Sequence, residues 1–197
     1  MLLIMEDNNA KIEDLKYRLE RVVGWVNNCD QKTGILLAIE GVILTIICTS
    51  NNIQLIHNRL IKPIYEYWNN DIGCFSIVNT LQIILLGVMS FCIVKSMFFL
   101  LRGIMGITDP KLFKDAGLTE RSLLHFESIS KYEKFLEYRK AANNQGIESI
   151  INDFQSQIFI NSKICTWKFE WHKKAVRLFM LFILCFIGYI VVNIISR

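Results

Sequence analysis

Three apolar runs, each close to the thickness of a lipid bilayer, constrain this chain more than any other feature. The first, residues 34–50, reads GILLAIEGVILTIICTS. At about 1.5 Å per residue it covers roughly 25 Å, and extension to 33–53 brings it to the ~30 Å of a hydrocarbon core. The second, 75–101, is interrupted by Asn79, Gln82 and Lys95 and is long enough to span with tilt. The third, 175–195, carries Arg177 near its start. None shows the polar face that a helix on a soluble core would need. Only two prolines occur in 197 residues, so long helices are favoured over a turn-rich β fold. The pattern predicts an all-α membrane protein with three transmembrane helices.

The basic residues set the expected orientation. Five precede the first run (Lys11, Lys16, Arg18, Arg21, Lys32) and twelve lie between the second and third. The loop 51–74 has two, Arg59 and Lys62, and the tail has one, Arg197. Three crossings put both rich segments on one side. The N-terminus and 102–174 are therefore expected in the cytoplasm, with the loop and the C-terminus outside. Tyr65, Tyr67 and Trp68 suit an outer interfacial belt, Trp167 and Trp171 an inner one.

The cytoplasmic parts also read as helical. Ile12, Leu15, Leu19, Val22 and Val26 form a heptad-like stripe on a helix over 8–29. One stripe on a short helix cannot bury itself, so it packs on the chain's own C-terminal helix or on a second copy. A breaker-rich stretch with Asp109-Pro110 follows the second run. Thr119 or Ser122 can then cap a helix to about Ala142, with Leu123, Phe126, Ile129, Tyr132 or Phe135, and Leu136 on its apolar side. Asn143-Asn144-Gln145-Gly146 reads as a turn. From Ile147 no breaker appears until Gly188, so the last helix is expected to run unbroken into the third span. The 107–174 region would complete a small helical bundle, and residues 1–197 would form a single effector domain.

Several function classes find no support. No phosphate-cradling glycine loop, nucleophile elbow or triad signature is present, so no enzyme and no cofactor is expected. His57, His125 and His172 are far apart in sequence, and the six cysteines form no CxxC pair, so no metal site is expected. The scattered cysteines read as small apolar residues in a reducing compartment. A net charge of +4 is too small for a nucleic-acid footprint.

The polar residues that remain are the candidate site. Glu40 lies near the middle of the first run, where a carboxylate faces a bundle interior or a pore, or is protonated. It is either a pore residue or an interhelical contact, for example to Asn79 or Gln82. Those two lie one turn apart and can supply interhelical hydrogen bonds. At the inner boundaries stand Asp30-Gln31-Lys32-Thr33 and the stretch 157–164, QIFINSKI. Gln157, Asn161 and Lys168 share a helix face and ask for partners. Interhelical hydrogen bonds would satisfy them. So would a small anionic ligand held by Lys32, Lys163 or Lys168.

Those patches carry a resemblance. CDQKTGILLAIEGVILTI resembles the Asp-x-Lys-Ala-x-x-Leu-Leu opening of the first span in the Pycsar transmembrane effectors. QIFINSKICTWKFEWHKKAVRLFMLFIL is similar to that family's C-terminal segment, and LLHFESISKYEKFLEYRKAA to its Phe-x-x-Ile stretch. The resemblance covers about 8–195. Thr33 stands where Ala is usual, and Glu40 where a small polar residue is expected. The resemblance implies an antiphage effector of the bacterial inner membrane, paired with a pyrimidine cyclase. The effector would sense cyclic CMP or cyclic UMP, assemble as a homo-oligomer, impair the lipid bilayer and arrest or kill the infected cell. Asp30, Lys32, Gln157, Asn161, Lys163 and Lys168 are its candidate nucleotide-binding residues. Glu40, Asn79 and Gln82 are its candidate intramembrane polar residues. The rival readings are a constitutive membrane scaffold and a holin-like pore protein without nucleotide sensing.

Overall fold

A computed structural model describes residues 2–49, 54, 57–62, 65, 77–105, 117–119 and 121–195. The described residues are helical, without a strand. The helices are α1 (Leu2–Ile47), α2 (Ile77–Ile104), α3 (Phe126–Ser130), α4 (Phe135–Asn143) and α5 (Ile147–Ile195), with a π-helical turn at His57–Ile61. Two of them are long and apolar enough to cross a membrane: α2 over Thr80–Ile104, and α5. The chain divides into two compact units. One is Met1–Asp30 with Gly106–Phe169, the other Gln31–Met105 with Glu170–Arg197.

α1 merges what the sequence suggested as separate pieces. The expected helix 8–29 and the first apolar run form one helix, Leu2–Ile47, with no break near residue 30. Asp30-Gln31-Lys32-Thr33 contains no proline or glycine, so nothing local ends the helix there. The apolar run stays helical to Ile47 rather than 53, Cys48 and Thr49 turn, and 50–53 lie outside the described residues. α2 covers Ile77–Ile104 and so runs three residues past the expected end at 101, while 75 and 76 lie outside the described residues. α5 runs unbroken from Ile147 to Ile195, as the lack of breakers predicts.

In the first unit, Leu15, Val22 and Cys29 are buried on α1 at spacings of seven, with Ile12, Leu19 and Val26 half-buried between them. The stripe is therefore a seam of two unequal rows, and Cys29 extends it one heptad further than the apolar count suggested. On α5, Ile151, Ile160 and Cys165 are buried. At the end of this stretch Lys168 Nζ meets Asp30 Oδ1 at 2.6 Å and so ties α5 to α1. Here the seam is closed within the chain.

The segment before α4 departs from expectation. The single helix predicted from Thr119 or Ser122 to Ala142 is replaced by an irregular stretch, the one-turn α3, and α4. Phe126, Phe135 and Leu136, expected on its apolar face, are 77%, 72% and 64% exposed. The cause is hydrogen bonding of this segment to α5, where Asp153 accepts the Leu123 N–H and Ser156 the Thr119 N–H. The Ser122 hydroxyl accepts the backbone N–H groups of Leu124 and His125, each at 3.1 Å, as a helix-capping serine does, but no regular helix starts before Phe126. Gly117, the first described residue of this stretch, has a φ of +94°, which is costly for any residue with a Cβ.

In the second unit α1, α2 and α5 share one core. Met89, Cys92 and Ile93 of α2 bury Phe182 of α5, and Ile43, Leu44 and Ile47 of α1 pack against them. The pairings fix the directions. Ser96 meets Ala175 and Phe99 meets Trp171, so α2 runs antiparallel to α5. Thr33 meets His172, and Ile43 to Ile47 lie at the level of Phe182, so α1 runs parallel to α5. Each helix turns an apolar stripe outward: Ile35, Ile39, Val42 and Ile46 on α1; Ile84, Val88 and Phe91 on α2; Leu184, Ile187 and Val191 on α5. Thr33, Glu40, Gln82 and Ser96 are buried inside.

Candidate functional site

Polar chemistry in the first unit gathers on one face of α5. Asp153, Ser156 and Gln157 are three and four residues apart, so a helix stacks them on one side. All three are buried, together with Ser122. They hold the described residues of 117–125 as a strap. Leu123 N–H donates to Asp153 Oδ2 at 2.8 Å and Thr119 N–H to Ser156 Oγ at 3.1 Å. Gln157 Nε2 donates to Ser122 Oγ at 3.1 Å. The strap is thus fixed to α5 by its backbone as well as by side chains. Among the described residues, Asp153 Oδ1 has no hydrogen-bond partner, although Asp153 is 1% exposed.

At the end of α5 within this unit lies the Lys168–Asp30 pair, Lys168 being one residue before Phe169. The Lys168 side chain is 6% exposed and that of Asp30 is 36% exposed. The lysine is held inside while the carboxylate faces water on one side. Cys165 lies beside the pair. Burial raises its thiol above the ordinary value, and the Asp30 carboxylate adds to the rise while Lys168 opposes it.

The structure brings some of the sequence candidates together and separates others. Asp30 and Lys168 form an ion pair. Gln157 belongs to the strap, about 16 Å along the helix from Lys168. Asn161 donates its side-chain amide to the Gln157 carbonyl of its own helix at 2.8 Å. Lys163 is exposed, with its ammonium 4.5 Å from the centre of the Phe159 ring. Lys32 is exposed and belongs to the second unit. The spacing rule identified a shared face correctly, but a shared face on a long helix is not a pocket.

In the second unit Glu40 is fully buried. The Ser96 hydroxyl reaches two acceptors, Glu40 Oε1 at 2.5 Å and the Ala175 carbonyl at 3.0 Å, and so joins all three helices. The expected partners of Glu40, Asn79 and Gln82, are replaced by Ser96. The antiparallel register of α2 puts Ser96 at the level of Glu40 and places Gln82 almost four turns away. Gln82 is buried, and the side chain of Asn79 lies outside the described residues. One turn before Ala175, His172 Nδ1 is 3.1 Å from Thr33 Oγ1. Burial first, and the Lys32 charge second, hold its ring below the ordinary imidazole value. Trp171 packs on Phe99 at 5.3 Å, with Lys174 and Arg102 over its ring.

Sequence reasoning missed Ser96, Asp153 and Ser156, and offered Ser122 only as a helix cap. Serines in an apolar or mixed helix carry little signal. Asp153 was detectable in principle, because it shares a helix side with Gln157 and Ile160, where a carboxylate needs a partner.

A helical chain with two helices long and apolar enough to cross a membrane has the make-up of a membrane-associated protein. Comparison with known proteins agrees. The model of the Pycsar effector protein domain (PycTM) matches residues 14–195, and the chain belongs to that family. It is 32% identical over 177 residues to the Pycsar effector protein GmPycTM of Gulbenkiania mobilis, covering 87% of this chain and 89% of that protein. No solved structure matches the chain.

Proposed function

We propose that this protein is an antiphage effector of the bacterial inner membrane. It senses a cyclic pyrimidine nucleotide, cyclic CMP or cyclic UMP, made by a partner cyclase, and then impairs the membrane. It acts by binding rather than by catalysis. The observation that carries the reading is α5, one unbroken helix with Asp153, Gln157 and Lys168 toward one end and a long apolar segment at the other. A change in packing at the first end reaches the second without crossing a flexible joint.

The same reading gives α1, α2 and α5 one span each, N-terminus inside and C-terminus outside. In support, α1 shares the core of the second unit with the two long apolar helices and runs parallel to α5. Its apolar side chains are turned outward and Thr33 and Glu40 inward, the arrangement lipid demands and water penalises. Ligand binding centres on Lys168. A cyclic nucleotide phosphate carries one negative charge and competes with the partly exposed Asp30 carboxylate for that ammonium. Exchange at Lys168 releases α1 from α5 and favours assembly of several copies.

The test is a panel of cyclic nucleotides titrated onto the detergent-solubilised full chain, with membrane potential followed in cells that also express the cyclase. Cyclic CMP or cyclic UMP binds, Lys168→Met weakens binding at least tenfold, and depolarisation needs the cyclase. Absence of binding to the whole panel overturns the sensor. Depolarisation without a cyclase returns the reading to a holin-like pore, and no depolarisation under any condition to a scaffold.

A further inference from the structure

The junction of Glu40, Ser96 and Ala175 contains more acceptors than protons. Ser96 has one hydroxyl hydrogen, and both Glu40 Oε1 and the Ala175 carbonyl lie within hydrogen-bonding reach of its oxygen. All three residues are fully buried, and Glu40 Oε2 has no hydrogen-bond partner among the described residues. Were the carboxyl ionised, a full charge would rest in an apolar core on one shared hydrogen bond, an arrangement interiors avoid.

We propose that Glu40 carries a proton and that this proton is a structural element of the bundle. The Glu40 carboxyl donates to Ser96 Oγ, and Ser96 donates onward to the Ala175 carbonyl. The chain of two hydrogen bonds then uses every proton once and links α1, α2 and α5. At 2.5 Å, Glu40 Oε1 and Ser96 Oγ are within O–H···O hydrogen-bonding distance. A metal ion ligated by both oxygens would hold them further apart.

No described charge offsets Glu40. It is the only ionisable side chain of α1 between Lys32 and Ile47. On α2, Lys95 is exposed over Phe98 and Arg102 lies over Trp171. On α5, Lys174 lies over Trp171, Glu170, Lys173 and Arg177 are exposed, and His172 is bound to Thr33. Of the thiols and phenols in this core, Cys92 is buried one turn before Ser96, while Cys185 and Tyr189 lie well beyond Ala175 along α5. Loss of the Glu40 proton therefore leaves a bare charge where three helices meet and drives them apart. The bundle has a built-in proton-dependent lock, separate from nucleotide sensing and independent of it.

Infrared spectroscopy of the full chain in liposomes at neutral pH tests the protonation directly. The carbonyl stretch of a protonated carboxyl is expected in the wild type and absent in Glu40→Gln, whose amide keeps a donor to Ser96. Only a carboxylate band at Glu40 overturns the proposal. Dye release from the same liposomes tests the lock. Alkaline pH raises release at least fivefold in the wild type and less than twofold in Glu40→Gln. Ser96→Ala leaks at neutral pH, and Ser96→Thr, which keeps the hydroxyl, does not. Equal alkaline release from wild type and Glu40→Gln overturns the lock.

Discussion

The Asp30–Lys168 pair is unequally buried, and that asymmetry yields a prediction with a definite order. Replacing Asp30 by Ala leaves a lysine that is 6% exposed without its carboxylate. Breaking a fully buried pair in this way costs about 3–5 kcal/mol. Asp30 is 36% exposed, so the pair sits at the edge of the interior and the penalty falls to about 2 kcal/mol, or roughly thirtyfold in the folding equilibrium. Replacing Lys168 by Met is milder. Methionine fills the volume of the lysine stem, and Asp30 turns its carboxylate to water, for a cost below about 1 kcal/mol. The double variant, with both charges gone, should be no worse than Lys168→Met, which exposes the coupling between the two sites. Denaturant unfolding of the solubilised protein, followed by circular dichroism, measures all four proteins. If Lys168→Met is as damaging as Asp30→Ala, the lysine is not the buried partner and the reasoning fails.

Two further outcomes follow from the same inventory of buried polar groups. Asp153→Ala removes the acceptor of the Leu123 amide, so stability should drop by about 1–2 kcal/mol and hydrogen exchange at Leu123 should accelerate. Asp153→Asn retains an acceptor and should leave that exchange near the wild-type rate. Unchanged Leu123 protection in Asp153→Ala would show that the strap is held by other groups. His172, held below its ordinary value by burial and Lys32, binds a proton more readily unfolded than folded. Its contribution to stability is intact above about pH 6.5 and is lost as pH falls from there through the folded value. His172→Asn should flatten that part of the stability profile, and an unchanged profile would rule His172 out.

Legibility tracked how far a signal extends along the chain. The unbroken course of α5 was readable because helix breakers act locally, and none occurs from Ile147 to Gly188. The α1 seam was readable because Leu15 and Val22 repeat with the period of a helix, although its last member, Cys29, is too small to stand out. The break between Ser122 and Phe135 was not readable. The local pattern there suits a helix, and bonds from Asp153, Ser156 and Gln157, some thirty residues away, replace it with a strap.

By itself the sequence determined the all-helical class, the long apolar segments and the residue types available to a site, since periodicity and hydropathy belong to short windows. Which polar side chains meet was left to the tertiary structure. Glu40 finds Ser96 rather than Gln82 because the register of antiparallel helices sets their levels, and register is summed over every contact in the core. Lys168 finds Asp30 138 positions away along the chain, where the packing of α5 on α1 brings the two level. A buried polar group must pair with whatever packing brings to its side, and no local pattern records that.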